Sequence, residues 1–94
     1  MRRTITKTDH VVERKVRDNL ILVPMKTGPA RLDALYTLNE AASMLWQEIN
    51  GETTEAKLVS RLLAEYEVDE ATARQDVDRI LNELAAIGAV TLKP

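Results

Sequence analysis

At 94 residues, with 45% hydrophobic and 30% charged side chains, the chain can build one ordinary globular core; it is too small for two and too apolar for a disordered tail. It has no cysteine, which excludes disulfide frameworks, thiolate metal sites and cysteine nucleophiles, and no apolar run approaches the roughly 18 residues of a membrane span. The net charge of −2 hides a split: residues 1–31 carry eight Lys/Arg against three Asp/Glu, and residues 32–94 carry five against twelve.

The start, Met1 to Lys7, is basic but lacks the apolar stretch of a secretory signal, which with the missing cysteines fits a cytoplasmic location. Residues 1–10 read as a flexible lead into a single domain over 1–94. The basic excess near this end is either a docking surface for an acidic partner or, more simply, solvated strand faces. Val11 to Val16 and Leu20 to Val23 are short β-type runs either side of Arg17-Asp18-Asn19, so strands over 11–17 and 20–24 joined by a tight hairpin are expected. Asp18 and Asn19 are the residues expected to supply the positive φ of that turn. Leu20 to Val23 is apolar on both faces, which suits a central strand or one covered by a partner, a homodimer contact included. Pro24 to Pro29 encloses Gly28 and reads as a loop, after which Leu32 to Leu38 alternates into a third strand over about 34–38.

Three helices follow. Asn39 is a good N-cap for a helix to about Ile49, which turns Ala42, Leu45, Trp46 and Ile49 inward, and Gly51 can take the left-handed conformation that ends it. Trp46, at helical spacing with Ala42 and Ile49, is expected to be core. Thr54 caps a second helix to Tyr66 with Leu58, Val59, Leu62 and Leu63 on one stripe. Asp69 caps a third to about Ile87, stopped by Gly88, and Ala89 to Leu92 is a last extension with strand character that is available to cover a sheet edge. The whole reads as an α+β domain, winged helix-turn-helix-like, with a three-stranded antiparallel sheet followed by three helices.

No catalytic machinery stands out. His10 is the only histidine and lies outside the predicted core, and Ser43 and Ser60 sit within helices with no base placed to activate them. Three scattered glycines form no phosphate loop, and the paired carboxylates read as solvated faces and caps. No metal or cofactor is implied. DNA binding is the natural rival for a winged helix. The third helix argues against it, because residues 70–87 hold Arg74 and Arg79 against Glu70, Asp76, Asp78 and Glu83, and phosphate contacts need the opposite sign.

The third helix is nonetheless wider in its apolar arc than one core contact needs. At about 100° per residue, Ala73, Val77, Ile80, Leu81 and Leu84 cluster, and Ala85 and Ile87 extend the arc on either side, with Arg74 and Asp78 on the flank beside Leu81 and Ala85. Either the arc packs against two helices and the sheet, or it leaves a groove beside the helix. The third strand has no obvious further strand for its outer side, and an unpaired edge is a template for an extended peptide.

The anchors Leu38-Asn39, Ile49-Asn50-Gly51, Thr54, Leu58-Val59, Tyr66-x-Val68, Asp76-Val77 and Leu84 with Gly88-Ala89-Val90 give the chain, from about Val11 to Val90, an order and spacing that resembles the PqqD-like family. These are small leader-peptide-binding modules of pathways that make and modify ribosomal peptides. The resemblance implies a non-catalytic adaptor that holds a precursor's leader as an added strand between the third strand and third helix. It implies a modifying enzyme as partner, often a radical S-adenosylmethionine protein, and neither nucleic acid nor membrane. Carried over, the peptide site is Leu35, Tyr36, Thr37 and Leu38 with Arg74, Val77, Asp78, Leu81 and Ala85. A longer loop from Pro24 to Asp33, and Asn50 where an Asp is usual, set the chain apart from the pyrroloquinoline quinone members, so the resemblance is to the broad family.

Overall fold

The computed structural model describes residues 3–24 and 36–93. The chain runs through β1 (Thr4–Lys7), β2 (Val11–Val16), β3 (Asn19–Pro24), β4 (Tyr36–Leu38), α1 (Glu40–Glu48), β5 (Thr53–Thr54), α2 (Glu55–Glu65), α3 (Glu70–Ala86) and β6 (Val90–Lys93). The expected hairpin, third strand and three helices are all present. The expected loop after Pro24 and the expected start of the third strand, Leu35 included, lie outside the described residues.

Two antiparallel sheets form where one was expected. One has the order β2-β3-β4, with Val16 opposite Asn19 at the hairpin and Ile21 opposite Thr37 at the other ladder. The other has the order β5-β1-β6, with Ile5 opposite Thr53 on one side and Leu92 on the other. Thr4–Lys7, expected to be a flexible lead, is therefore a central strand, and Ile5 is wholly buried. A single apolar residue in Thr-Ile-Thr-Lys carries too little pattern to announce this. The strand is made by its two neighbours, which come from the middle and the far end of the chain. The final extension does form a strand, but it closes β1 and not the free side of β4.

At the hairpin the left-handed residue is Arg17, at φ 59°, and not Asp18 or Asn19. With Val16 paired to Asn19, the loop is Arg17-Asp18, and a positive φ at the first loop position matches the twist of the flanking strands. Pairing register, not local preference, chose which residue bears it.

The helices start as the caps predict, and α1 ends at an extended Ile49, two residues before the left-handed Gly51. The side chain of Asn39 accepts from the Ala42 amide at 2.8 Å, that of Thr54 from Lys57 at 3.3 Å and that of Asp69 from Thr72 at 2.7 Å. Gly88, at φ 80°, ends α3 in a left-handed turn in which the Ala89 amide reaches the Leu84 carbonyl at 2.9 Å. The end of α1 has a second fastening. Thr53, 1% exposed, accepts from the Asn50 amide at 3.0 Å and lies 2.8 Å from the Glu48 carbonyl oxygen. It satisfies two of the backbone groups that the helix end and the turn leave open.

One core joins both sheets to the helices. Ile5, Leu20, Leu22, Leu38, Leu45, Leu58, Leu62, Val77, Ile80, Leu81, Leu84 and Val90 are buried together. Trp46 is 2% exposed, as expected of a core residue. Its indole N–H donates to Glu13 Oε1 at 2.6 Å and Lys7 Nζ sits 4.3 Å from the ring centroid, so this one side chain ties α1 to β2 and β1. Among the described residues no helix is long and apolar enough to cross a membrane.

Candidate functional site

The two borders of the β2-β3-β4 sheet differ. β4 is three residues long, pairs with β3 through Leu20–Leu38, Ile21–Thr37 and Leu22–Tyr36, and has no strand on its other side among the described residues. Alternation decides which way its side chains point. Leu38 is buried and Tyr36 partly so, on the face that meets the helices, while Thr37 is exposed on the opposite face. Among the described residues nothing pairs with the outer main-chain groups of this strand, and its buried face joins the core through Leu38.

Tyr36 identifies the part of α3 that lies across from this edge. Its hydroxyl donates to Glu83 Oε1, a side-chain bond that spans the gap between β4 and α3. Arg79 Nη1 lies 3.5 Å from Glu83 Oε2 and its Nη2 lies 3.9 Å from Asp76 Oδ1, so this flank of α3 is a ladder of alternating charge. Ile87, partly buried against the core, lies one turn beyond Glu83. The Tyr36 phenol is pushed up to about 12, first because burial disfavours the phenolate and then because Glu83 accepts its proton and carries a negative charge beside it. The bridge therefore stands in its neutral-phenol form over the whole physiological range.

The residues expected at the site do not all meet here. Tyr36, Thr37 and Leu38 share β4, whose outer side has no strand among the described residues. Val77 and Leu81 are wholly buried and form core, not groove surface. Arg74, Asp78 and Ala85 fall on the other flank of the buried stripe. There Asp78 Oδ1 receives Arg3 at 2.7 Å, Arg3 also grips Glu55 at 3.0 Å, and Arg74 pairs with Glu70 at 2.7 Å. That flank faces α2 and the β1 end, where a shallow groove is lined by Ala56, Val59, Leu63 and Arg74 among others. Helical periodicity located the apolar arc but not which of its two borders faces the sheet. The border that Tyr36 reaches carries Glu83 and Arg79, which the sequence reading does not include in its candidate site. The hydrogen-bonding partner of Tyr36 is the signal that separates the two borders, and it exists only in three dimensions.

The comparisons agree with this architecture. A family model described as coenzyme PQQ synthesis protein D (PqqD) matches residues 20–90. No curated protein matches the sequence. Among solved structures, TbiB1 in complex with the TbiA(beta) leader peptide superposes with a TM-score of 0.74 at 25% identity, covering 90% of this chain and 93% of that one. A lasso peptide synthetase B1 complexed with the leader peptide gives a TM-score of 0.75 at 18% identity, covering 93% and 96%, which is a likeness of fold. Both are small proteins of nearly this chain's extent. From the hairpin strand β3 to the start of β6, the chain belongs to the PqqD family.

Proposed function

We propose that this protein is a leader-peptide-binding adaptor. It captures an extended segment of a ribosomally made precursor on the free edge of β4 and presents it, in the cytoplasm, to a modifying enzyme of the radical S-adenosylmethionine kind or another. The observation that carries the reading is the combination of a β4 edge with no strand on its outer side among the described residues and membership of the PqqD family. Solved relatives of the same fold that hold leader peptides support it. Main-chain pairing gives affinity without demanding a sequence, and the side chains that turn towards α3 provide selection. In this reading the selecting border is Tyr36, Arg79, Glu83 and Ile87, with Leu38 and Ile80 beneath. The chemistry belongs to the partner enzyme, and this chain contributes position.

The test is amide chemical-shift mapping with synthetic leader peptides of candidate ribosomal precursors. Perturbations are expected on 36–38 and on Arg79, Glu83 and Ile87. N-methylation of one peptide amide at the centre of the paired segment should weaken binding about 2- to 10-fold, the net worth of one hydrogen bond. Shifts confined to residues 3–17, or to the α2–α3 groove around Leu63 and Arg74, would place the site elsewhere. Leu81 is not a useful probe of binding, since a charge there would unfold the core before it touched a peptide.

A further inference from the structure

The opposite border of the same sheet carries an independent message. β2 pairs with β3 along its whole length, and no strand pairs with its outer side among the described residues. It is six residues long, twice the length of β4, and five of the six are exposed. Val12 is 38% exposed and Val16 51%, large apolar side chains left in solvent on the face away from the helices. They are not alone there. Val12 lies opposite Val23, and Arg14 lies opposite Ile21, so the outer face of the hairpin carries Val12, Val16, Ile21 and Val23 around Arg14, with Asn19 opposite Val16.

The order of residues along this edge is its most specific property. Val12-Glu13-Arg14-Lys15-Val16 is symmetric in character about Arg14, with apolar residues outermost and opposite charges between. Two copies laid antiparallel about a dyad at Arg14 bring Val12 of each against Val16 of the other, and Glu13 of each against Lys15 of the other. Residues opposite one another across an antiparallel ladder share a face, so the valines meet on the outer face and the ion pairs form on the inner one. Glu13 gives one oxygen to Trp46, which leaves Oε2 for the lysine. Only the Arg14 pair on the dyad is like-charged.

We propose that β2 is the interface of a homodimer, closed by a two-fold axis at Arg14, in which two three-stranded sheets join into one of six strands. The partner is a second copy because the edge is complementary to itself, the requirement of an isologous contact. The arrangement puts the two β4 edges at the far ends of the joined sheet, so dimerisation leaves both free. The contact is a single strand pair with modest apolar area, which makes it a weak, concentration-dependent dimer. The alternative is that Arg14 and Lys15 blunt the edge and keep it solvated, as charges on border strands commonly do.

Sedimentation equilibrium on the intact chain separates these. Across about 10 µM to about 1 mM the wild type is expected to pass from monomer to dimer. Lys15→Glu sets Glu13 against a second carboxylate on both sides of the dyad and should raise the dissociation constant at least about tenfold. Arg14→Thr removes the like-charged pair and should lower it by about 2- to 5-fold. Both positions are exposed, so unchanged melting temperatures establish that the variants are folded. A wild type that stays monomeric at the highest concentration overturns the proposal, and so does a dimer that Lys15→Glu leaves as tight as before.

Discussion

Tyr36 is the side chain on which the geometry of the candidate site turns. It sits on a three-residue strand, points towards the helices and ends in a hydrogen bond to Glu83 of α3. Its phenol is displaced upward from 10.0 to about 12 by burial and then by Glu83. A phenol whose folded value lies above its unfolded one contributes stability that is whole below the unfolded value and lost as pH rises through the folded one. Alkaline unfolding should therefore show a loss between pH 10 and about 12 that Tyr36→Phe flattens. At neutral pH the same substitution should cost about 0.5–1.5 kcal/mol for the missing hydrogen bond. Denaturant titrations of both proteins at several pH values would check the two effects together, and a parallel alkaline decline would mean that Tyr36 is not the group responsible. On the acid side, Asp69 is held below its ordinary value by its bond from the Thr72 amide, so its capping contribution is present above the usual carboxylate range and fades as pH falls through the lowered value.

At the scale of elements, each helix is set between a polar cap in sequence and a stop that tertiary contacts reinforce. The stop of α1 is the clearest case. The Asn50-Gly51 pair marks the turn, but Thr53 binds the Asn50 amide and the Glu48 carbonyl and at the same time pairs with Ile5 of β1. Thr53→Val keeps the shape of the side chain and removes both polar contacts from a site that is 1% exposed. The expected cost is about 1–3 kcal/mol, the penalty of leaving buried polar groups unpaired. Hydrogen exchange should show it locally, with the last turn of α1 opening more readily than α3. Equal exchange rates in mutant and wild type would mean that Gly51 alone suffices. The two flanks of α3 show a similar dependence on neighbours. One is tied to the β1 end through Arg3 and Asp78, and the other to β4 through Tyr36 and Glu83. The helix is the shared wall between the two sheets.

For the molecule as a whole, both sheets drain into the same core, so neither is an appendage. Ile5 comes from a strand that the sequence barely marks, yet it is wholly buried among residues from all parts of the chain. Ile5→Ala should cost about 2–5 kcal/mol and lower the melting temperature of the entire domain in a single transition. A two-step melt, in which α1 to α3 survive the loss of β1, would show that the β5-β1-β6 sheet folds as a separate unit. The charge split follows from this architecture as well. Among the described residues, the basic side chains of the first third lie just before β1, on β1, on β2 and at the hairpin turn, and Arg3 and Lys7 already serve Glu55, Asp78 and Trp46. Among the described residues of this part, Arg14, Lys15 and Arg17 on the hairpin remain exposed to an outside partner.

Much was legible without the structure because it depends on near neighbours in the chain. Caps at Asn39, Thr54 and Asp69, the left-handed stop at Gly88, the 3.6-residue stripes of three helices and the alternation of the hairpin are all local physics, acting over a few residues. The family resemblance rests on the same ordered caps and stripes, which is why it too could be read from residues alone. What only the tertiary structure decided involves partners far apart in sequence. A strand with one apolar residue became central because residues 53–54 and 90–93 came to lie on either side of it. Register moved the strained turn residue to Arg17. The apolar arc of α3 is too symmetric for periodicity to say which border faces the sheet, and it took a contact across 47 positions, Tyr36 to Glu83, to choose.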